Sequence, residues 1–252
     1  MIEIFILSLV QGITEFLPIS SSSHLILVSN YLKFDNQNFS IDVSLHIGSF
    51  LAVITFFRSD ILKFLKDKNI LFKIVTASIP VVAAGIILIK FDLINQLRNI
   101  KIIGWTTLIF GILLYFSDKS DSTKNIDSNL KYKSAILIGI FQMFALIPGV
   151  SRSGITITAA RLMKFKRVES ARISFLLSIP VLGAISFFGI LNLFKSGDLR
   201  FSFINLFSIF LSFVFSMFTI QYFLKYITKF NLNIFVFYRV VLGLVILILA
   251  YL

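Results

Sequence analysis

Two stretches of this chain interrupt long apolar runs with proline, clustered serines and charge: residues 11–24, QGITEFLPISSSSH, and residues 148–156, PGVSRSGIT. Unbroken apolar runs lie at about 42–57, 70–90, 101–116, 171–194, 203–224 and 232–252. Each is close to the roughly 20 residues a helix needs to cross a bilayer. Hydrocarbon leaves polar and ionised groups without partners, so side chains like these line a cavity enclosed by protein. The pattern predicts an all-α polytopic membrane protein whose two breaks meet and form one site.

Composition enters as a test of that class. Of 252 residues, 57% are hydrophobic, 14% are charged and 30 are Phe, more than the core of a soluble domain this size can hide. The absence of cysteine excludes a disulfide framework and a thiolate metal site. A net charge of +12 would suit nucleic acid, but the basic residues fall mostly in loops between apolar runs, where they face anionic lipid. No nucleic-acid partner is expected; membrane lipid is, and the oligomeric state, a homodimer included, stays open. The first run, Ile2–Val10, carries Glu3, lacks a basic leader and continues into the break, so it reads as part of the fold and not as a cleavable signal.

The chain reads as one membrane domain made of two copies of a plan: repeat one at 1–116, a polar linker at 117–133, and repeat two at 134–252. Each copy is a re-entrant broken helix pair followed by three spans. Pro18 and Pro148 are 130 residues apart, as are Ser21 and Ser151. Three spans per copy, an odd number, invert the second copy relative to the first. Loop charge sets the direction. Sixteen Lys and Arg fall on one face and six on the other, which makes the first face cytoplasmic and places both termini outside.

A helix that starts in mid-membrane aims unpaired N–H groups and partial positive charge at its tip. Ser20–Ser23 stand where the second half of the first pair begins, and Ser151–Gly154 occupy the same place in the second. Two such tips with Arg152 between them suit an anion, and clustered hydroxyls favour phosphate or diphosphate over carboxylate. The candidate substrate-binding set is Ser20, Ser22, Ser23, Ser151, Ser153, Gly154 and Thr156. Gln11 and Glu15 share a helix face, as do Ser21 and His24. An acid, a hydroxyl, an imidazole and a guanidinium around one cavity are the inventory for phosphoryl transfer, with oxygen ligands for a divalent cation.

Blander readings accompany these. His46 reads as hydrogen-bonded packing, Glu15 with Arg152 as a structural ion pair, and Ser134 and Ser212 as serines that bond back to their own helix or pack as small residues. Asp42 and Arg172 read as helix-end charges, and Arg239 has no partner that spacing identifies. Inverted repeats with midplane breaks are also transporter architecture, so a transporter or flippase of a lipid phosphate or anion competes with the enzyme. Ser21, His24 and Glu15 exceed what binding alone needs.

At the two breaks the chain resembles the undecaprenyl-diphosphate phosphatase family, also known as bacitracin-resistance proteins. The family pattern has E/Q-x-x-x-E running into a Ser-rich stretch that ends in His, here Gln11 to His24, and PGxSRSG, here Pro148 to Gly154. The resemblance covers essentially the whole chain. It implies hydrolysis of undecaprenyl diphosphate to undecaprenyl phosphate and inorganic phosphate, with Mg²⁺ or Ca²⁺, in the bacterial plasma membrane, to recycle the lipid carrier for cell-wall synthesis. It also implies Glu15 as essential acid, Ser21 as nucleophile, His24 as catalytic histidine and Arg152 as the diphosphate clamp, with phosphate contacts from Ser22, Ser151 and Ser153. The implied metal ligands are Glu15 and Gln11. Position 11 is Gln where many members carry Glu, and an amide is the weaker ligand for a hard cation.

Overall fold

The computed structural model describes residues 1–32, 39–66, 68–91, 93–195 and 203–252. In chain order its helices are α1 (Ile2–Thr14), α2 (Ser21–Leu32), α3 (Phe39–Phe56), α4 (Arg58–Lys66), α5 (Lys68–Lys90), α6 (Leu93–Leu97) and α7 (Ile100–Asp118). After these come α8 (Ile126–Asn129), α9 (Tyr132–Met143), a 3₁₀ turn at Phe144–Leu146, α10 (Arg152–Leu162), α11 (Arg167–Lys195), α12 (Phe203–Ile227) and α13 (Asn233–Tyr251). Six of them, α3, α5, α7, α11, α12 and α13, are long and apolar enough to cross a membrane, while α1 and α9 are shorter apolar pieces. The protein is a multi-pass helical membrane protein. Its outer faces expose Ile86, Phe116, Phe187, Phe210, Phe218 and Phe237, side chains that lipid solvates and water does not.

Helices in lipid gain nothing from hydrophobic contact with one another, so close packing and buried hydrogen bonds must hold them. Between α3 and α12, Ser212 Oγ donates to Leu45 O at 2.7 Å and Ser216 Oγ to Ser49 Oγ at 3.0 Å. Ser212 therefore bonds across the interface and not back to its own helix. α1 packs on α12, α9 on α5, α3 on both α11 and α12, α5 on α11, and α7 on α13. The α5–α9 crossing is tight at Gly139, where a Cβ would stand 2.1 Å from Ala77 O.

The polar linker is pinned rather than loose. Asp118 at its start accepts from Arg167 Nε at 2.8 Å and from Leu232 N at 3.0 Å, and pairs with Arg161 Nε at 3.2 Å. Ile126 and Leu130, the apolar residues of the linker, are buried in the core. Arg172, a helix-end charge by sequence, pairs with Asp60 of α4 at 3.2 Å and so ties α11 to the start of α4. The segments that carry Lys33 and Arg200, both counted for the less basic face, lie outside the described residues.

The crossing at Gly139 makes a comparison possible. Gly139→Ala should lower stability by about 1–3 kcal/mol or more, because the backbone of Ala77 cannot yield cheaply. Gly85→Ala in α5, where the nearest atom to a Cβ would be Leu146 Cδ2 at 3.7 Å, should leave stability unchanged or raise it. Thermal melting of the two purified variants in detergent tests this, and equal melting temperatures would contradict the packing.

Candidate active site

Both breaks end in a serine with left-handed backbone, Ser20 at φ 76° and Ser151 at φ 72°. A non-glycine residue held there costs roughly 1–3 kcal/mol and persists only where its surroundings fix it. Each serine directly precedes a helix, α2 at Ser21 and α10 at Arg152. The two caps stand at 20 and 151, one residue off the shift of 130 read from the prolines. The corrected register makes Ser21 and Arg152 counterparts, each the first helical residue after its break.

Glu15, at the C-cap of α1, joins these counterparts. Its Oε1 accepts from Arg152 Nη2 at 2.7 Å, and its Oε2 accepts from Ser21 Oγ at 2.6 Å and from Gln11 Nε2 at 3.1 Å. One buried carboxylate thus bridges a hydroxyl of the first break and a guanidinium of the second. Arg152 also lies over the Phe16 ring, 5.8 Å from its centroid, and donates to Ser174 O at 3.4 Å. Ser153 Oγ donates to Leu17 O at 2.7 Å, a second bond between the breaks.

A residue without an assigned partner in the sequence holds the breaks in register. Arg239 of α13 is fully buried, and its guanidinium donates to four backbone carbonyls. Nη1 reaches Pro18 O at 3.1 Å and Val150 O at 3.0 Å, Nη2 reaches Gly149 O at 2.9 Å, and Nε reaches Thr107 O at 3.2 Å. Carbonyls freed where a helix breaks in hydrocarbon need donors, and one planar fork supplies them to both breaks at once. Thr106 Oγ1 adds a bond to Pro148 O at 2.6 Å.

A cavity of about 320 Å³ opens beside Glu15 and is lined by Ser20, Ser21, Ser22, Ser151 and Arg152. It adjoins an apolar cleft of about 410 Å³ between α3, α5 and α11, and the two share Asp42, His46, Val81, Arg98, Leu146, Val181 and Ile185. A roomier cavity of about 520 Å³ lies at the linker, but its Asp118, Arg161 and Arg167 are spent on one another.

The other expected residues fall behind the cavity wall. Ser23 bonds Ser20 Oγ at 3.0 Å, Thr156 Oγ1 donates to Ser174 Oγ at 2.7 Å, and Gly154 backs onto Arg239, whose Nη1 would be 2.9 Å from an added Cβ. Ser151, which does line the cavity, also caps α10, its Oγ accepting from Gly154 N at 3.1 Å. His24 shares a helix face with Ser21 by spacing, yet it is absent from the cavity lining. Its Nδ1–H donates to Ser20 O at 2.6 Å, and Tyr238 O–H donates to Nε2 at 2.6 Å, with the rings stacked at 5.7 Å. His24 therefore braces the left-handed Ser20 turn. His46, read as packing, lines the cavity instead, and Gln11 Nε2 lies 3.1 Å from its Nδ1.

The same geometry tests the fit of a cation. Among the described residues there is no group of three or more His, Cys, Asp or Glu that could hold a metal ion. Glu15 offers one carboxylate. Gln11 turns its NH₂ to Glu15 and His46, and its Oε1 is a buried acceptor with no partner. That sparse set fits an ion of the Mg²⁺ kind, which takes one carboxylate and draws its other ligands from substrate phosphates and water.

The two breaks bring an arginine, hydroxyls and two helix N-termini together around one cavity of a multi-pass membrane protein, a set that suits an anionic ligand. The chain belongs to the family of the bacitracin resistance protein BacA, whose sequence profile matches residues 4–245. It is 50% identical over 251 residues to a protein of Pelagibacter ubique named undecaprenyl-diphosphatase, covering 99% of this chain and 98% of that one. Proteins of the same name from Jannaschia sp. and Aliivibrio salmonicida are 37% and 38% identical, over 98% and 96% of this chain and 98% and 95% of theirs.

Arg239 gives the site its sharpest structural test. Arg239→Met removes a charged donor from four carbonyls on three segments, Pro18 O and Val150 O of the two breaks among them, and should lower stability by at least about 2–3 kcal/mol. Arg239→Lys, with three donors but no fork, should fall between that variant and wild type. Melting of the Met variant at the wild-type temperature would contradict the assignment.

Proposed function

We propose that this protein is an undecaprenyl-diphosphate phosphatase, which hydrolyses the lipid diphosphate to undecaprenyl phosphate and inorganic phosphate. That activity recycles the carrier for cell-wall synthesis and accounts for bacitracin resistance. The observation that carries the reading is Glu15 bonded at once to Ser21 and Arg152. A hydroxyl 2.6 Å from a carboxylate is a nucleophile beside its base, and the arginine places that pair where a phosphate would sit. An anion transporter needs the arginine and the helix tips, but not an activated hydroxyl. The names of the relatives point the same way.

In this mechanism the diphosphate competes with Glu15 for the Arg152 guanidinium and takes hydrogen bonds from the tips of α2 and α10. Ser20, Ser22 and Ser151 line its path. Glu15 accepts the Ser21 proton as Oγ attacks the terminal phosphorus. The P–O bond to the lipid phosphate breaks, and the electron pair leaves on that phosphate. Glu15 gives that proton up to solvent, then takes one from the water that attacks the seryl phosphate, and returns it to Ser21 Oγ as inorganic phosphate leaves. His24 and Tyr238 hold the Ser20 turn that aims Ser21. The divalent cation belongs to the proposal through Glu15 and, when bound, neutralises charge on the phosphate oxygens. The adjoining apolar cleft suits the isoprenoid tail.

The repeats are proposed to be inverted, with the site open to the outer face of a bacterial plasma membrane. Support comes from the charge bias and from matched packing: α1 on α12 answers α9 on α5, and α3 on α12 answers α11 on α5.

Phosphate release from a C55 diphosphate by the purified protein, with and without EDTA, tests the activity and the cation together. Ser21→Ala, Glu15→Gln and Arg152→Ala should each lower kcat by roughly 10²-fold or more. Near-wild-type turnover in all three would remove the assignment. Orientation is tested separately. Cysteine replacing exposed Asp121 should label only from the cytoplasm, and one replacing exposed Gln96 only from outside; labelling of both from one face would overturn the topology.

A further inference from the structure

His46 stands 35 residues along the chain from Gln11, on α3, where the polar cavity passes into the apolar cleft, and it lines both. Its contact with Gln11 carries chemical information. Gln11 is fully buried, and its Nε2 lies 3.1 Å from Glu15 Oε2 and 3.1 Å from His46 Nδ1. A carboxylate paired with arginine only accepts hydrogen bonds, so the NH₂ of Gln11 must face it. That group has two hydrogens. The second points at His46 Nδ1, which must then present its lone pair, and the ring proton resides on Nε2. Nδ1 is taken by Gln11, which leaves Nε2 as the ring nitrogen that can serve a ligand in the cavity His46 lines. Nε2 has no hydrogen-bond partner recorded among the described residues.

We propose that His46 is a further catalytic residue, a neutral Nε2–H donor to the tail-bearing phosphate, with Gln11 as the positioning residue that sets its tautomer. This rests on the phosphatase reading above. Ser21 and Arg152 mark the end of the cavity that takes the terminal phosphate, and the cleft marks the end that takes the tail. The phosphate between them is the leaving group, and His46 lines that junction. When the P–O bond breaks, the electron pair stays on the leaving phosphate and the proton stays on Nε2. A neutral imidazole with its other nitrogen already accepting from Gln11 does not release that proton. It stabilises the growing charge by a hydrogen bond that strengthens as the bond breaks. The lipid phosphate leaves as an anion and needs no proton transfer.

The experiment compares wild type with His46→Ala and His46→Gln in phosphate release from a prenyl diphosphate. It also measures inhibition by the two products, prenyl monophosphate and inorganic phosphate. His46→Ala should lower kcat about 10-fold or more and weaken inhibition by prenyl monophosphate by a similar factor. Inhibition by inorganic phosphate should stay within about 2-fold, since a single lost hydrogen bond is confined to the tail-bearing end. His46→Gln keeps an N–H donor and should recover much of both losses. A merely structural role would move both inhibition constants together. His46→Phe, which keeps the ring without a donor, repeats the test where the alanine variant does not fold. Unchanged kcat in His46→Ala with an active wild type overturns this inference alone, as does an equal loss of inhibition by both products. No phosphate release by wild type overturns the phosphatase reading and this inference with it.

Discussion

Backbone carbonyls released where a helix breaks in a buried place must find donors, and in this protein one buried guanidinium provides them. Arg239 binds Pro18 O from the first break and Gly149 O and Val150 O from the second, and anchors all three to Thr107 O of α7. Because the fork is planar and its donors are fixed, the breaks cannot shift relative to each other without leaving a carbonyl unpaired. Their register follows from that bond set. So does the placement of two left-handed serines back to back, each opening a helix toward the same space.

Once the breaks are locked together, a single carboxylate can join them. Glu15 takes Ser21 on one oxygen and Arg152 on the other, a bonding pattern that neither half of the chain could supply alone. The polar groups not on the cavity are bonded behind it: Ser153 to Leu17 O, Thr156 to Ser174, His24 between Ser20 O and Tyr238. These contacts keep the wall rigid while the lining remains available to a ligand. The apolar cleft beside it gives the same site a greasy end, so one ligand with a charged head and a long tail matches both.

Much of the fold is legible in the sequence because hydrocarbon imposes length and apolarity on every span, and all six unbroken runs became long helices. The breaks were legible for the converse reason, since Pro, Ser and charge have no place in an apolar run. Three things were not. The short helix α4 packs Ile61 and Phe64 on the core but is too short and too charged to read as a span, and α8 is held by the buried linker residues Ile126 and Leu130. Arg239 bonds to carbonyls, one of them 221 residues away, and a carbonyl leaves no mark in a sequence. A spacing of three puts His24 on the face of Ser21, but α13 offers Tyr238 on the other side and turns the ring away. His46 had a weak signal: an ionisable ring within an apolar span, four residues after Asp42 on the same helix face.

The two breaks share one site, closed by Glu15 and Arg152. Solid-state NMR of the protein in lipid bilayers, with ¹³C in the Glu15 carboxylate and ¹⁵N in the Arg152 guanidinium, measures that separation directly. The account predicts strong carbon–nitrogen dipolar dephasing, as required by an N–O contact of 2.7 Å. Absence of dephasing in folded protein would mean that the breaks do not meet, and would contradict the account.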